Sequence, residues 1–462
     1  MKKLLAFLLA FAIFAAACGD DGDSPADGAD VDTTDETPTD DGDEPTDDGG
    51  DDPLDDPLDE PVDELTASFR GVTEDSITIG IAAIDTEALL DFGYDLGNVP
   101  LEPLLQSWAD TLNENGGVLG RSIEFEIDIF LPIGDLPSQE ICLRQMEDEE
   151  VFVVIGQFLA NNPLCITEQY GHPYVGHFGE TPERQERSEG RFFATEISQM
   201  PQRIGGVTRM IEDGDLDGKA VALSWQNQAD RVYAEGVRPI LEAAGVNIVV
   251  EIEVGETSED QVANDADWDI AIERAKSEGT EVLLHLSGIT GPLDAMGRAE
   301  ERDITLAFTN GQAADGTTVV SQSTSPDYVR ENSFAVTTYK PSAEVGLADP
   351  GVIQCLDEYE AWGGAMDELE MDNDDFVNGI VNWCRIFRLT VAILEAAGPE
   401  LTPETFITGG ESLGPIVLPA MPEGSVTPDK HSAGSELIRY VYDTELGQYV
   451  ATGDPFLGAF DQ

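Results

Sequence analysis

Between Val151 and Glu183 the chain reads VFVVIGQFLANNPLCITEQYGHPYVGHFGETPE, two short apolar runs, VFVVI and YVGHF, separated by a helix-like stretch. Neither run alternates with polar residues. Continuous apolar runs suit strands buried on both faces, as in a parallel sheet covered by helices. In such sheets ligands meet the carboxyl ends of the strands, where loops lead into helix N-termini. Here those loops are GQFLANNP and GHFGETPE. Asn161, Asn162, Glu180 and Thr181 stand where helices begin, so each either caps a helix or touches a solute, and capping is the commoner role for any one of them. Phe178 and Gly179 belong to the second loop. Two such loops from adjacent strands make a binding floor.

The same alternation runs through the rest of the chain. Strands are expected at 76–84, 121–130, 151–155 and 174–178, with helices at 103–117, 138–149 and 163–170 between them. After RFFATEISQ (191–199) a second series starts, with strands at 219–225, 246–254, 280–287 and 304–310. Its helices are expected at 201–213, 230–244, 268–278 and 291–301. NSFAVTTY (332–339) reads as a further strand, followed by helices near 350–361 and 374–397 and a closing hairpin, SELIRYVYDTELGQYVAT. Repeated strand–helix units predict an α/β fold with two doubly wound domains.

The first 64 residues are of another kind. MKKLLAFLLAFAIFAAAC has two lysines, an apolar run and small residues before Cys18, the layout of a secretory signal. Ala15-Ala16-Ala17-Cys18 looks like a bacterial lipoprotein cleavage site, although that pattern favours Leu where Ala15 stands; cleavage after an Ala in a plain secreted protein is the other reading. Residues 20–64 hold 22 acidic residues and no Lys or Arg. Self-repulsion and scarce apolar surface predict an extended acidic tether. The whole chain carries −70, and most of that charge lies beyond the tether. So acidic a surface repels phosphate backbones and argues against a nucleic-acid partner.

With Cys18 set apart, Cys142, Cys165, Cys355 and Cys384 remain. An even number in an exported chain suggests disulfides. Their order suggests 142–165 and 355–384, although three connectivities are open and buried thiols are the alternative.

Catalytic and metal signatures are scarce. Walker, GxGxxG and HExxH motifs do not occur in the chain, and GxSxG occurs once, as GESLG at 410–414. Asp213-Gly-Asp-Leu-Asp217-Gly218 copies half of a calcium loop, but the twelfth position is Ser224, so an acidic turn is the better reading. His177 and Glu180 are too few for a zinc set. Neither catalysis, a metal nor a cofactor is expected. In the second domain, Trp225, Ser287 and Gln312 fall at or just beyond strand ends, where Trp225 is either core or a lid over an apolar ligand group.

SITIGIAAI, LNENGGVLGRSIEFEI, VFVVIGQF and YVGHFGETPE together resemble the leucine/isoleucine/valine-binding protein family, the type I extracytoplasmic solute-binding proteins of ABC importers. The most specific piece is Asn113-x-x-Gly116-Gly117-x-x-Gly120-Arg121, a helix stop and turn feeding the second strand. The likeness runs in order over residues 76–450. It implies two α/β lobes joined by three crossovers around a ligand cleft. Lobe 1 would take 66–196 and 340–415, lobe 2 would take 200–332 and 435–452, and 1–17 and 18–65 would be signal and tether. Crossovers would lie near 197–199, 333–339 and 416–434. The implied function is a monomeric, lipid-anchored protein on the extracytoplasmic face of the cell membrane that delivers a small polar solute (amino acid, amide or amine) to ABC permease subunits. A ligand-responsive sensor on the same fold is the alternative; a secreted hydrolase is a third class and is disfavoured.

In the amino-acid-binding members, a threonine in the GHFGET loop and a later acidic residue face the ligand's carboxylate and ammonium. Aligned without gaps, those positions here are Glu180 and Gln312. That exchange of charges suggests a neutral or cationic solute, with leucine-like amino acids second, unless Glu180 turns away to cap the helix at Pro182.

Overall fold

The computed structural model describes residues 65–90, 98–132, 135–158, 161–177, 179, 181–226, 230–255, 261–287, 298–299, 302–308, 331–338, 347–371, 374–445 and 448–457. Cys18, the signal and tether, Phe178, Glu180 and Gln312 lie outside them.

Strand β1 (Ser76–Ile84) is buried along almost its whole length, with Ser76 and Thr78 its two half-buried positions. It is followed by the short helix α1 (Thr86–Leu89), then α2 (Leu101–Glu114) and β2 (Ser122–Phe130). α2 ends in the NENGGVLGR turn. A Cβ on Gly117 would come within 1.9 Å of the Arg121 carbonyl oxygen, and φ there is +66°, so only glycine fits. Asn113 docks on β2 through its side chain, accepting from the Ile123 amide at 2.8 Å and donating to the Ile123 carbonyl at 3.1 Å. α3 (Leu136–Leu143), β3 (Val153–Gly156), β4 (Tyr174–Gly176), α4 (Pro182–Arg187) and β5 (Phe192–Ala194) complete the series. The helix expected at 138–149 stops at Leu143 and continues as a π-helical turn, Arg144–Asp148; a second such turn, Cys165–Gln169, stands where 163–170 was expected to be helical.

These strands form one parallel sheet in the order β2-β1-β3-β4-β5. One face packs Ile77, Ile79 and Ile81 against Trp108 of α2 and Phe387 of a later helix. The other packs Ala82, Val154 and Tyr174 against Ile141, Cys142, Cys165 and Ile166.

The second series comprises α5 (Gln199–Glu212), β6 (Ala220–Trp225), α6 (Arg231–Ala243), β7 (Asn247–Glu253), α7 (Gln261–Ser277), β8 (Val282–His285), β9 (Thr305–Phe308) and β10 (Ser333–Thr337). After α8 (Pro350–Trp362), α9 (Asp374–Ala397), α10 (Pro403–Glu411) and the small pair β11 (Gly414–Ile416) and β12 (Gly424–Val426), the hairpin β13 (Glu436–Asp443) and β14 (Gln448–Leu457) returns to this sheet. Its order is β14-β13-β10-β9-β8-β6-β7, parallel from β7 through β10 and antiparallel at the hairpin. One expectation needs correction. Residues 333–337 are not a crossover: β10 is hydrogen-bonded on both sides, to β9 and β13, and so belongs to the interior of the second sheet.

Helix α9 is long and apolar enough to span a membrane by composition, but two thirds of its apolar window is buried in the protein. It is the central helix of the first lobe's core, carrying Ile380, Trp383, Phe387 and Leu394. α8 and α9 are joined by Cys355–Cys384, and α3 and the π-turn Cys165–Gln169 by Cys142–Cys165, with Cα separations of 6.4 and 6.3 Å. This is the pairing that chain order suggests.

Two connections between the lobes run side by side. Ala194 donates to the His431 carbonyl at 3.0 Å, Ala433 to Ala194 at 2.8 Å and Gly434 to Thr195 at 3.0 Å. The hydroxyls of Ser198 and Ser432 meet at 2.7 Å. The third connection leaves β10 and enters α8.

Candidate functional site

In the first lobe, Tyr174 on β4 organises the loop after β3. Its hydroxyl donates to the Gly156 carbonyl at 3.0 Å and accepts from the Phe158 amide at 3.0 Å, while the two rings stack. Asn161 is exposed and Asn162 half-buried, and their carbonyls accept from Leu164 and Cys165 as the next turn begins.

Beyond β4, His177 is buried with its Nε2 3.4 Å from the buried Glu196 carboxylate. Burial, and then the charge of Arg385, hold its pKa well below the ordinary histidine value. The ring is therefore neutral, and its contact with Glu196 is a hydrogen-bonding one rather than an ion pair. Among the described residues no group of three or more His, Cys, Asp or Glu is placed to hold a metal. The Asp213–Gly218 turn instead gives its carboxylates to arginines: Asp213 meets Arg209 at 2.8 Å and Asp215 meets Arg439 at 2.7 Å.

Gly179 lies against the first crossover, where a Cβ would come within 2.2 Å of the Ile197 carbonyl oxygen. Thr181 caps α4, its hydroxyl accepting from the Arg184 amide at 3.2 Å and from Arg184 Nε at 3.3 Å. Arg184 is buried, and its guanidinium reaches the phenol of Tyr233 in the second lobe.

Opposite stand the carboxyl ends of β6 and β8. Ser287 is fully buried and its hydroxyl accepts from the Gln226 amide at 3.0 Å, tying those ends together. Trp225 sits in the core beneath α5 and α6, its ring N–H donating to Glu253 at 3.3 Å. Of the two roles open to it, core packing is the one these contacts describe.

Sequence reasoning passed over Arg203, Gln199 and Tyr233. Arg203 is buried on the second turn of α5, its Nε donating to the Leu286 carbonyl at 2.7 Å and its Nη1 to the Gln199 carbonyl at 3.0 Å. Its guanidinium lies 3.7 Å above the centre of the Tyr233 ring, and the Tyr233 hydroxyl donates to the Gln199 side chain. α5 and α6 pack closely at Gly236, where a Cβ would come within 2.5 Å of the Met200 sulfur. Beside Arg203, the buried Gln202 amide has no hydrogen-bond partner among the described residues, and neither has the buried Thr338 hydroxyl just beyond β10. A signal was present in the sequence. Met200, Arg203, Val207 and Met210 fall on one helical face, so Arg203 occupies a position that periodicity assigns to an apolar residue.

A family model described as periplasmic binding protein matches residues 104–441. Among solved structures, an ABC-transporter solute-binding protein from R. palustris in complex with 4-hydroxybenzoate is 16% identical, with a TM-score of 0.63 over 83% of this chain and 98% of that one. A fatty acid ABC transporter substrate-binding protein from Thermomonospora curvata is 16% identical, with a TM-score of 0.61 over 85% and 95%. One from Desulfitobacterium hafniense in complex with Leu is 15% identical, with a TM-score of 0.58 over 82% and 100%. No curated protein matches the chain.

Proposed function

The chain belongs to the periplasmic binding protein family, and from that premise we propose that it captures a small polar solute between its two lobes outside the cytoplasm and presents it to the permease of an ABC importer. The observation that supports this best is the meeting of side chains from both lobes at the carboxyl ends of the parallel strands of two sheets. Thr181 and Arg184 come from one side, Arg203, Tyr233 and Gln199 from the other. Ligands of open parallel sheets bind at such ends. Two lobes joined by narrow connections can close around a solute and change the surface offered to a partner. Asn161, Asn162, Phe178–Thr181, Ser287, Gln312 and the neighbourhood of Trp225 are the proposed lining, and amino acids, amides and amines the proposed solutes. Cys18 would carry the lipid anchor; a Cys18→Ser protein that stays in the membrane fraction would refute that part.

A thermal-shift screen of amino acids, amides, amines and small organic acids tests the reading. A solute at about a hundred times its Kd adds about 2.7 kcal/mol of stability, which is several degrees in Tm for a protein of this size. The reading fails if no small solute raises Tm.

A further inference from the structure

The chain has 93 acidic residues against 23 lysines and arginines, so a buried cation here has carboxylates in excess to choose from. Many arginines take one: Arg144 pairs with Asp128, Arg187 with Glu168, Arg238 with Glu251 and Arg439 with Asp215. Arg184 and Arg203 do not. They are 7% and 2% exposed, and neither forms an ion pair with a carboxylate among the described residues. A guanidinium is rarely buried without a partner, because taking the charge out of water is costly.

Arg121 shows the purely structural way of solving this. It is fully buried without a carboxylate, and its Nε, Nη1 and Nη2 donate to the carbonyls of Thr73, Pro399 and Thr66 at 2.7, 2.9 and 3.0 Å. Arg203 fills only Nε and Nη1 in that way. Arg184 places Nε on the Thr181 hydroxyl and extends toward Tyr233. The two cations approach the same tyrosine from different lobes, and Arg203 feels the charge of Arg184. Asp230 and Glu196 act on Arg203 only through their fields, and Glu196 lies against His177. Two like charges facing each other oppose closure of the lobes; an anion between them favours it.

We infer that Arg184 and Arg203 form a clamp, one arm from each lobe, for the carboxylate of the solute, so that this protein's ligands are organic acids. The inference rests on the solute-binding reading above and reverses the preference for neutral or cationic solutes drawn from Glu180 and Gln312. Charge-assisted bonds from two guanidinium groups supply both affinity and discrimination against the corresponding amide.

The test is a matched series on the full chain: isovalerate against isovaleramide, benzoate against benzamide, leucine against leucinamide, with isoamylamine as the cation. Thermal shift and calorimetry are run on wild type, Arg184→Gln, Arg203→Lys, Arg203→Met and Arg187→Gln. Within at least one pair the acid should bind and its amide bind at least about tenfold more weakly. Arg184→Gln and Arg203→Met should each lower affinity for that acid by about 10- to 100-fold. Arg203→Lys should recover part of the loss and guards against misfolding of the methionine variant. Arg187→Gln, on the same helix as Arg184 but paired with Glu168, should leave binding unchanged. If amides or amines bind as well as the acids, or the acids bind undiminished to both arginine variants, the clamp is wrong while the solute-binding reading stands. If nothing in the series binds, the clamp is wrong, and the wider thermal-shift screen decides the solute-binding reading.

Discussion

The two lobes are held together by different chemistry. Both disulfides are in the first, one on each helical layer: Cys142–Cys165 in the core on one face of the sheet, Cys355–Cys384 in the core on the other. The second lobe has no cysteine in its sequence, so its cross-links are arginine–carboxylate pairs, which the first lobe has in addition to its disulfides. Arg238 forks onto Glu251, joining α6 to β7; Arg298 reaches Asp265 and Asp269 of α7; Arg439 joins β13 to Asp215 in the turn after α5. A covalent staple acts at any salt concentration and over a wide pH range, whereas exposed ion pairs weaken with salt and with protonation of their carboxylates. The lobes should therefore fail under different insults.

Reduction gives the largest separation. Replacing both members of either disulfide by alanine should cost about 2–5 kcal/mol. Hydrogen exchange should place the loss of protection on β1 to β5 and their helices, with β6 to β9 less affected. Equal loss in the two sheets would erase the contrast.

Acid should separate them in the opposite sense. His285 on β8 is buried, bonded through Nδ1 to the Ser224 hydroxyl at 2.9 Å and packed near Trp268. Burial, with Arg203 adding to it, lowers its pKa from 6.5 to about 3. Below pH 6.5 the unfolded chain takes a proton that the folded protein refuses, so stability is full above that pH and is lost as pH falls toward 3. One such group contributes a slope of up to about 1.4 kcal/mol per pH unit. His172 and His177 in the first lobe have the same sign, since burial lowers both. There, however, burial also raises Asp128 and Glu149, which bind protons more readily when folded and so offset the loss. Urea midpoints at pH 7 and pH 5 should fall more for the second lobe, and His285→Leu should flatten its dependence. An unchanged slope in that variant would remove His285 from the account.

Much of the scaffold was legible because burial on both faces writes itself as mostly apolar runs. β1, β3, β6 and β8 are such runs, interrupted at Thr78, Ser224 and His285, and Asn113 through Arg121 spells a turn that its glycines permit. The chain's economy of cysteines left few pairings, and neighbours paired. α10 was missed although Thr402 and Thr405 form a reciprocal cap at its start, a signal weaker than an apolar stripe. The arginines were missed for a different reason. PERQER looks like solvated helix, but Arg184 is buried and meets Tyr233 of the second lobe. β10 was read as a strand but placed in a crossover, since nothing local says which neighbours a strand will find.

The smallest expected effect tests the finest division of labour. Thr181 in the first lobe's cleft loop does a measurable structural task, accepting from the Arg184 amide as the cap of α4. Its hydroxyl hydrogen remains able to serve a solute, so cap and ligand roles coexist on one atom. Thr181→Val should cost about 1 kcal/mol of stability through the lost cap, and Thr181→Ser almost none. Thr181→Asp separates the roles. Aspartate caps as well as threonine, so stability should hold, but its charge beside Arg184 competes for the guanidinium and repels a carboxylate solute. Calorimetry should then find acid binding weakened in Thr181→Asp while Tm of the free protein stays within about a degree of wild type. Undiminished acid binding in that variant would confine Thr181 to capping and move the anion away from the first lobe's arm of the cleft.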